Sequence, residues 1–256
     1  MQGGSMALSY TVGNLQGVGN RKRQEDSFAV ANAFDTDMIR QQGLFFSVCD
    51  GMGGMKDGKK ASETAVASLR NSFMNMDRSR DISYQLRECV FKASDDVYNV
   101  IGGDGGSTTV TGIIYNDMLH FASVGDSFFY LLRKGKLYRL NQEHNLRHEK
   151  FLAALKFGDM DPSKYYNIPE AEALTQFLGM NGMSDVDCTV RPYPLMRGDV
   201  LMACSDGVGG VLTEDETRRC LSFVSERSMC QQIEQFLVAH AKPNQDNYTA
   251  LIIKCT

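Results

Sequence analysis

Acidic residues stand at the ends of five apolar runs in this 256-residue chain. Asp50 closes "FFSVCD", Asp126 closes "LHFASVGD" and Asp206 closes "VLMACSD". Asp26 opens "DSFAV" with Glu25 just before it, and Asp246 precedes "NYTALIIK". Taken singly, each is an ordinary turn residue, since Asp favours turns and Asp-Gly is a common turn pair. Taken together, they describe strand ends that deliver carboxylates to one end of a sandwich. Two carboxylates about 5 Å apart repel by roughly 3 kcal/mol at an effective dielectric of 20. Several such pairs would threaten a fold stable by only about 5–15 kcal/mol. Divalent cations remove that penalty, and carboxylate, carbonyl and water ligands suit magnesium or manganese.

The stretch "FFSVCDGMGGMKDGKK" also admits a nucleotide-binding reading. Gly53, Gly58 and Lys59 match G-x-x-x-x-G-K between a strand and a helix. The next residue is Lys60, where that motif needs Ser or Thr to hold magnesium. The motif also belongs to a parallel sheet, which the rest of the chain does not support. On the metal reading, Lys56, Lys59 and Lys60 are the solvated start of a helix.

The elements that would position these acids follow from periodicity. "ALSYTVGN", "DSFAVANAF" and "LFFSVCD" are short, β-branched or aromatic runs bounded by turn residues. Ala61 to Met76 and Ile82 to Ile101 carry apolar residues at helical spacing. "STTVTGIIYND", "MLHFASVGD" and "SFFYLLRKGKLYRL" are strands separated by Asn116-Asp117 and Lys134-Gly135 breaks. Connections this short make antiparallel hairpins, because parallel pairing needs a crossover of about a dozen residues or more. Residues 141–187 read as an insertion with short helices near Glu149 to Phe157 and Pro169 to Leu178. Strands return at "DCTVRPYPL" and "DVLMACSD". "TEDE" starts a helix with a capping box, another runs from about Arg227 to Ala241, and "NYTALIIKC" closes the chain. The class is α+β: two antiparallel sheets packed as a central sandwich, flanked by helices in an α-β-β-α arrangement.

Composition narrows the function. A net charge of −4 offers no basic footprint for nucleic acid and no polybasic membrane anchor. Seven cysteines without a C-x-x-C pair read as free thiols in a reducing, cytoplasmic setting rather than as a disulfide frame or a zinc site. His120, His144, His148 and His240 are scattered. No window approaches the roughly 20 apolar residues of a membrane helix. "MQGGSM", residues 1–6, reads as an expression remnant, which leaves 7–256 as one domain. "DTD" at Asp35 to Asp37 reads as an acidic loop, not as an Asp-x-Asp nucleophile motif. The chain has no D-x-D-x-D-G calcium loop.

Six pieces of the chain, "RKRQED", "CDGMGG", "GGSTTV", "ASVGDS", "LMACSDGV" and "QDNYTALII", carry a resemblance to the metal-dependent Ser/Thr protein phosphatases of the 2C type. They occur in that family's order and span about Tyr10 to Lys254, in the manner of a small, bacterial-like, single-domain member. The resemblance implies a phosphoserine/phosphothreonine protein phosphatase that works by attack of a hydroxide between two divalent cations, Mn2+ or Mg2+. It implies that Asp50 serves both ions, Asp206 and Asp246 the first, and Glu25 with the Gly51 carbonyl the second. Asp126 with Asp206 matches a third metal position, Asp26 holds water, and Arg21 binds phosphate, with Arg23 as a nearby alternative. The implied partners are phosphorylated proteins made by Ser/Thr kinases, acted on by a monomer with no nucleic acid or membrane. Two departures stand out. Met52 occupies a position where some members carry a proton-donating histidine, and Gln176 in "LTQFLG" replaces an arginine. The rival use of this fold, a pseudophosphatase that only binds, predicts a lost metal carboxylate, and none of the core acids is missing. The insertion 141–187 corresponds to the family's variable flap.

Overall fold

A computed structural model describes residues 7–52 and 57–256. Residues 1–6, and Gly53 and Lys56 of the glycine- and lysine-rich stretch, lie outside the described residues. The chain begins with β1 (Tyr10–Gly17), β2 (Ser27–Ala31), α1 (Thr36–Gln42), β3 (Leu44–Cys49) and β4 (Gly51–Met52). Two long helices follow, α2 (Gly58–Met74) and α3 (Ile82–Ile101). Then come β5 (Gly106–Ser107), β6 (Thr109–Tyr115), β7 (Met118–Val124), β8 (Phe128–Arg133), β9 (Lys136–Arg139) and α4 (Leu146–Leu155). The last part holds β10 (Asp187–Cys188), β11 (Tyr193–Pro194), β12 (Val200–Cys204), α5 (Asp206–Gly209), α6 (Glu214–Leu221), α7 (Glu226–Ala239) and β13 (Tyr248–Cys255).

The strands form two main antiparallel sheets, one ordered β1-β13-β12-β8-β9 and the other β10-β7-β6-β3-β2, with β11 also on β7. Strand alternation explains how each sheet is buried on both sides. Along β3, Leu44, Phe46 and Val48 face the opposite sheet, whereas Phe45 and Cys49 face α2 and α3. Along β13, Leu251, Ile253 and Cys255 enter the layer between the sheets, and Ala250 and Ile252 face α6 and α7. Successive side chains of a strand point to opposite faces, so an unbroken apolar run serves two cores. The middle layer holds Phe129 between Phe46 (5.5 Å) and Phe121 (5.3 Å, edge-on). The outer layer stacks Phe45 on Phe73 of α2 at 5.1 Å. Each such fully buried side chain contributes about 1.5–3 kcal/mol of burial free energy. The α-β-β-α sandwich expected from the sequence is the observed fold.

Local signals hold at the hairpins and caps. Asn116, Asp117, Lys134 and Gly135 all have positive φ, as the tight β6–β7 and β8–β9 turns require. Thr213 and Glu216 form the reciprocal capping box of α6. Three expectations fail. "DTD" is no loop, because Asp35 accepts hydrogen bonds from the Asp37 and Met38 N–H groups and so caps α1. The segment from Pro169 to Leu178 is not helical: Glu170 has φ +57°, and Leu174 and Leu178 instead make isolated bridges to Asn145 and Ser107. "DCTVRPYPL" yields only the two-residue pieces β10 and β11, separated at a proline that cannot donate to a ladder. No helix among the described residues is long and apolar enough to cross a membrane.

Candidate functional site

Five segments from both sheets bring the acids to one cleft of about 530 Å³. Its walls include Arg21, Glu25, Asp50, Gly51, Asp126, Asp206 and Asp246. Asp50 directly follows β3 and is pinned by Thr108: the Thr108 N–H donates to the Asp50 carbonyl at 2.8 Å, and Thr108 Oγ1 accepts from the Asp50 N–H at 3.2 Å. Asp126 follows Gly125, whose φ is +99° and whose missing Cβ would lie 2.7 Å from Thr108. The β7–β8 turn therefore closes tightly against Thr108, the residue that pins Asp50. Asp206 opens α5 directly after β12, and Asp246 sits in the loop before β13. Gly51 is a second enforced glycine. A Cβ there would stand 2.1 Å from the Gly58 carbonyl and 2.6 Å from that of Glu25.

Asp26 does not line this cleft: it is fully buried and borders a neighbouring cavity with Ser27 and Lys59. Ser205 Oγ donates to its Oδ2 at 2.9 Å, while its Oδ1 has no partner among the described residues. Asp206 Oδ1 is likewise buried and unpartnered. Arg21 reaches into the cleft and pairs with Asp246 at 2.6 Å. Arg23 does not line the cleft, and its carbonyl accepts a hydrogen bond from Asn247.

Burial and mutual repulsion dominate the electrostatics. Burial, then the charges of Asp26, Asp206 and Asp126, hold Asp50 well above the usual carboxylate range. Burial raises Asp206 too, with the charge of Asp246 adding to it. Asp26 is pushed up to about 6, chiefly by burial, against the nearby Thr249 hydroxyl and the hydrogen bond from Ser205. Asp126 is pushed up to about 7 by burial and by the Asp206 charge, with Glu143 and Glu172 adding to it. Among the described residues no three of these acids close around one point tightly enough to enclose an ion as they stand. They nonetheless fit hard divalent cations. The donors are all oxygens, two buried carboxylate oxygens lack partners among the described residues, and the charges of Asp26, Asp206 and Asp126 raise the cost of ionising Asp50.

Several residues that build the site escaped the sequence reading. Asn247 Oδ1 accepts from the Glu25 N–H at 2.7 Å, and its Nδ2 donates to the Val18 and Arg23 carbonyls. One side chain thus ties the Arg21–Glu25 loop to the Asp246 loop. Ser205 and Thr108 do similar work for Asp26 and Asp50. Lys59 is no mere solvated helix start: its Nζ donates to the Asp26 carbonyl (3.0 Å) and Ser27 Oγ (3.1 Å). Adjacency to the acids in "SD" and "DN" was the one available signal for Ser205 and Asn247. Glu172, with Leu174 and Phe177, lines the cleft from residues 141–187. Gln176 uses its Oε1 to accept from the Ser184 and Asp185 N–H groups, so it holds a loop rather than a charge.

A sandwich that gathers carboxylates, a backbone carbonyl and one guanidinium in a single cleft is built for metal-assisted cleavage of a phosphoester. Comparison with known proteins agrees. The pattern described as "Protein phosphatase 2C" matches residues 10–150. The "Serine/threonine phosphatase stp" of Listeria welshimeri is 30% identical over 216 residues, covering 81% of this chain and 82% of that protein. The structure of Serine/threonine phosphatase Stp1 from Staphylococcus aureus aligns with a TM-score of 0.79 at 20% identity, over 99% of both chains. The catalytic domain of the phosphatase PstP, solved with two manganese ions, aligns at 0.72 and 19% identity, over 98% of this chain and 99% of that one. The chain belongs to the protein phosphatase 2C family and is a metal-dependent protein phosphatase.

Proposed function

We propose that the enzyme hydrolyses phosphoserine and phosphothreonine on proteins that Ser/Thr kinases have modified, using Arg21, Asp26 and Asp50 at the reacting centre. In this reading Asp50 serves two divalent cations, Mn2+ or Mg2+. Asp206 and Asp246 hold the first, Glu25 and the Gly51 carbonyl hold the second, and Asp126 with Asp206 holds a third. The observation that carries it is the convergence of these metal-holding acids in one cleft, with Asp26 Oδ1 and Asp206 Oδ1 buried and, among the described residues, unpartnered. Bound dications supply Lewis acidity, neutralising phosphoryl charge and acidifying the attacking water.

The chain's own residues do the rest. Arg21 spends one nitrogen on Asp246 and is more than half exposed, which leaves its other N–H groups free to fork onto phosphoryl oxygens. Asp26 is held by Ser205 and has one oxygen to spare, so it orients the attacking water from behind. Met52 lines the cleft and donates no proton, so the leaving alkoxide takes its proton from solvent. Residues 141–187 act as the flap of a single domain spanning 7–256, and the enzyme works as a cytoplasmic monomer. Hydrolysis of a phosphothreonine peptide, titrated with manganese, magnesium and chelator, tests the reading. It expects activity that rises with either ion and vanishes in chelator. Turnover that chelator leaves untouched sinks it.

A further inference from the structure

We propose that Glu172 selects phosphosites flanked by Lys or Arg, an inference that rests on the phosphatase reading above and names its substrate class. Glu172 is the flap's acid in the catalytic cleft, beside Leu174 and Phe177 and in the same cleft as Arg21. Its carboxylate is held in place. Arg147 donates to Glu172 Oε1 at 2.7 Å and also pairs with Glu143, which in turn accepts from Arg139 at 3.0 Å. Arg139 stacks on the Phe128 ring at 3.8 Å, so this ion ladder is anchored on β8 of the sandwich. Arg139, Glu143 and Arg147 are each at least three-quarters buried at the side chain, whereas Glu172 is 66% exposed. The ladder, with Asn145 Nδ2 donating to Glu172 Oε2 at 3.5 Å, therefore fixes one solvent-exposed carboxylate beside whatever flanks the phosphate. A pre-placed charge loses little side-chain entropy on pairing, which is what makes a surface ion pair count.

The charge of the flap points the same way. Residues 141–187 contain eight Asp and Glu against four Lys and Arg, a net of −4. The remainder of the chain has 23 of each sign, so the flap carries the whole chain's excess negative charge. Of these acids Glu172 lines the cleft, and the charges of Glu143 and Glu172 are felt at Asp126 within it, a field whose sign favours cationic segments and disfavours acidic ones.

The test compares two phosphothreonine peptides that differ only in flanking residues, arginines in one and glutamates in the other, with Mn2+ present. The readout is the ratio of their kcat/KM values on one enzyme preparation, which does not depend on how much of it is folded. The parent should prefer the arginine peptide by about ten-fold, attraction and repulsion combined. Glu172→Gln should bring the ratio to about two to three, and Glu172→Lys to one or below. Glu234→Gln, an equal change of net charge on α7, should leave it at the parent value. High salt should shrink the parent's preference, because exposed charges are screened. Equal use of both peptides by the parent, or a ratio that neither Glu172 variant moves, overturns the inference and leaves the phosphatase reading intact. Failure to hydrolyse either peptide with Mn2+ overturns both.

Discussion

Replacing Asp126 by Asn should stabilise the protein in chelator while weakening its response to metal. Asp126 is held at about 7 against 3.8 for an ordinary Asp, first by burial and then by the charge of Asp206. The folded state thus binds this proton more tightly than the unfolded chain. Below pH 4 both states are protonated and the residue costs nothing. As pH rises from about 4 to about 7 the unfolded chain ionises first, and native stability falls until the folded group ionises too. A rise of that size is worth about 4 kcal/mol as a ceiling. Relaxation of the exposed side of the turn makes about 2–4 kcal/mol the working figure. In a chain of this length, at about 2 °C per kcal/mol, that is about 4–8 °C in melting temperature. The assay is thermal melting of parent and Asp126→Asn in excess chelator, at pH 4 and pH 8. The variant should melt higher at pH 8, with the gap closing at pH 4. Saturating Mn2+ should then raise the parent by more than the variant, since a ligand stabilises the state that binds it. A variant that melts at or below the parent in chelator at pH 8 would refute the picture of mutually repelling buried acids.

Further expectations follow from the same cleft. Asp206→Asn should lower manganese-dependent hydrolysis of p-nitrophenyl phosphate by about a thousand-fold or more, and full retained activity would remove Asp206 from the metal set. Arg21→Ala should cost about 10- to 100-fold in kcat/KM, whereas Arg23→Ala, outside the cleft, should stay within about two-fold. Gly51→Ala should destabilise by about 2–4 kcal/mol in urea melts and blunt manganese activation, because its Cβ would meet the Gly58 and Glu25 carbonyls. Cys49 and Cys204 are fully buried, and burial pushes their thiols up to about 11 and about 12. They should resist a thiol reagent in the native protein, and peroxide should inactivate Cys49→Ser, Cys204→Ser and parent alike.

Acids at strand ends were legible one at a time, because Asp50, Asp126 and Asp206 each mark the point where an apolar run stops. Their neighbours were not. Asn247, Ser205 and Thr108 are ordinary turn or strand residues in the sequence. They gain meaning only when Asn247 spans from the Asp246 loop to the Glu25 N–H, more than two hundred residues away in the chain. Lys59 was misread for the same reason: nothing in "DGKK" reveals that the Asp26 carbonyl lies 3.0 Å from its ammonium.

By itself the sequence determined the apolar strand runs of β3 and β13, the hairpin breaks at Asn116-Asp117 and Lys134-Gly135, and the capping box of α6. All of these are set by contacts within a few residues, where side-chain type and backbone preference act directly. Tertiary structure alone decided that the segment from Pro169 to Leu178 pairs with Ser107 and Asn145 instead of coiling. It also decided that Glu172 ends in the cleft at the head of an ion ladder, and that Arg21 rather than Arg23 turns inward. Those outcomes depend on which distant backbone groups and charges are within reach, and local spacing carries no record of that.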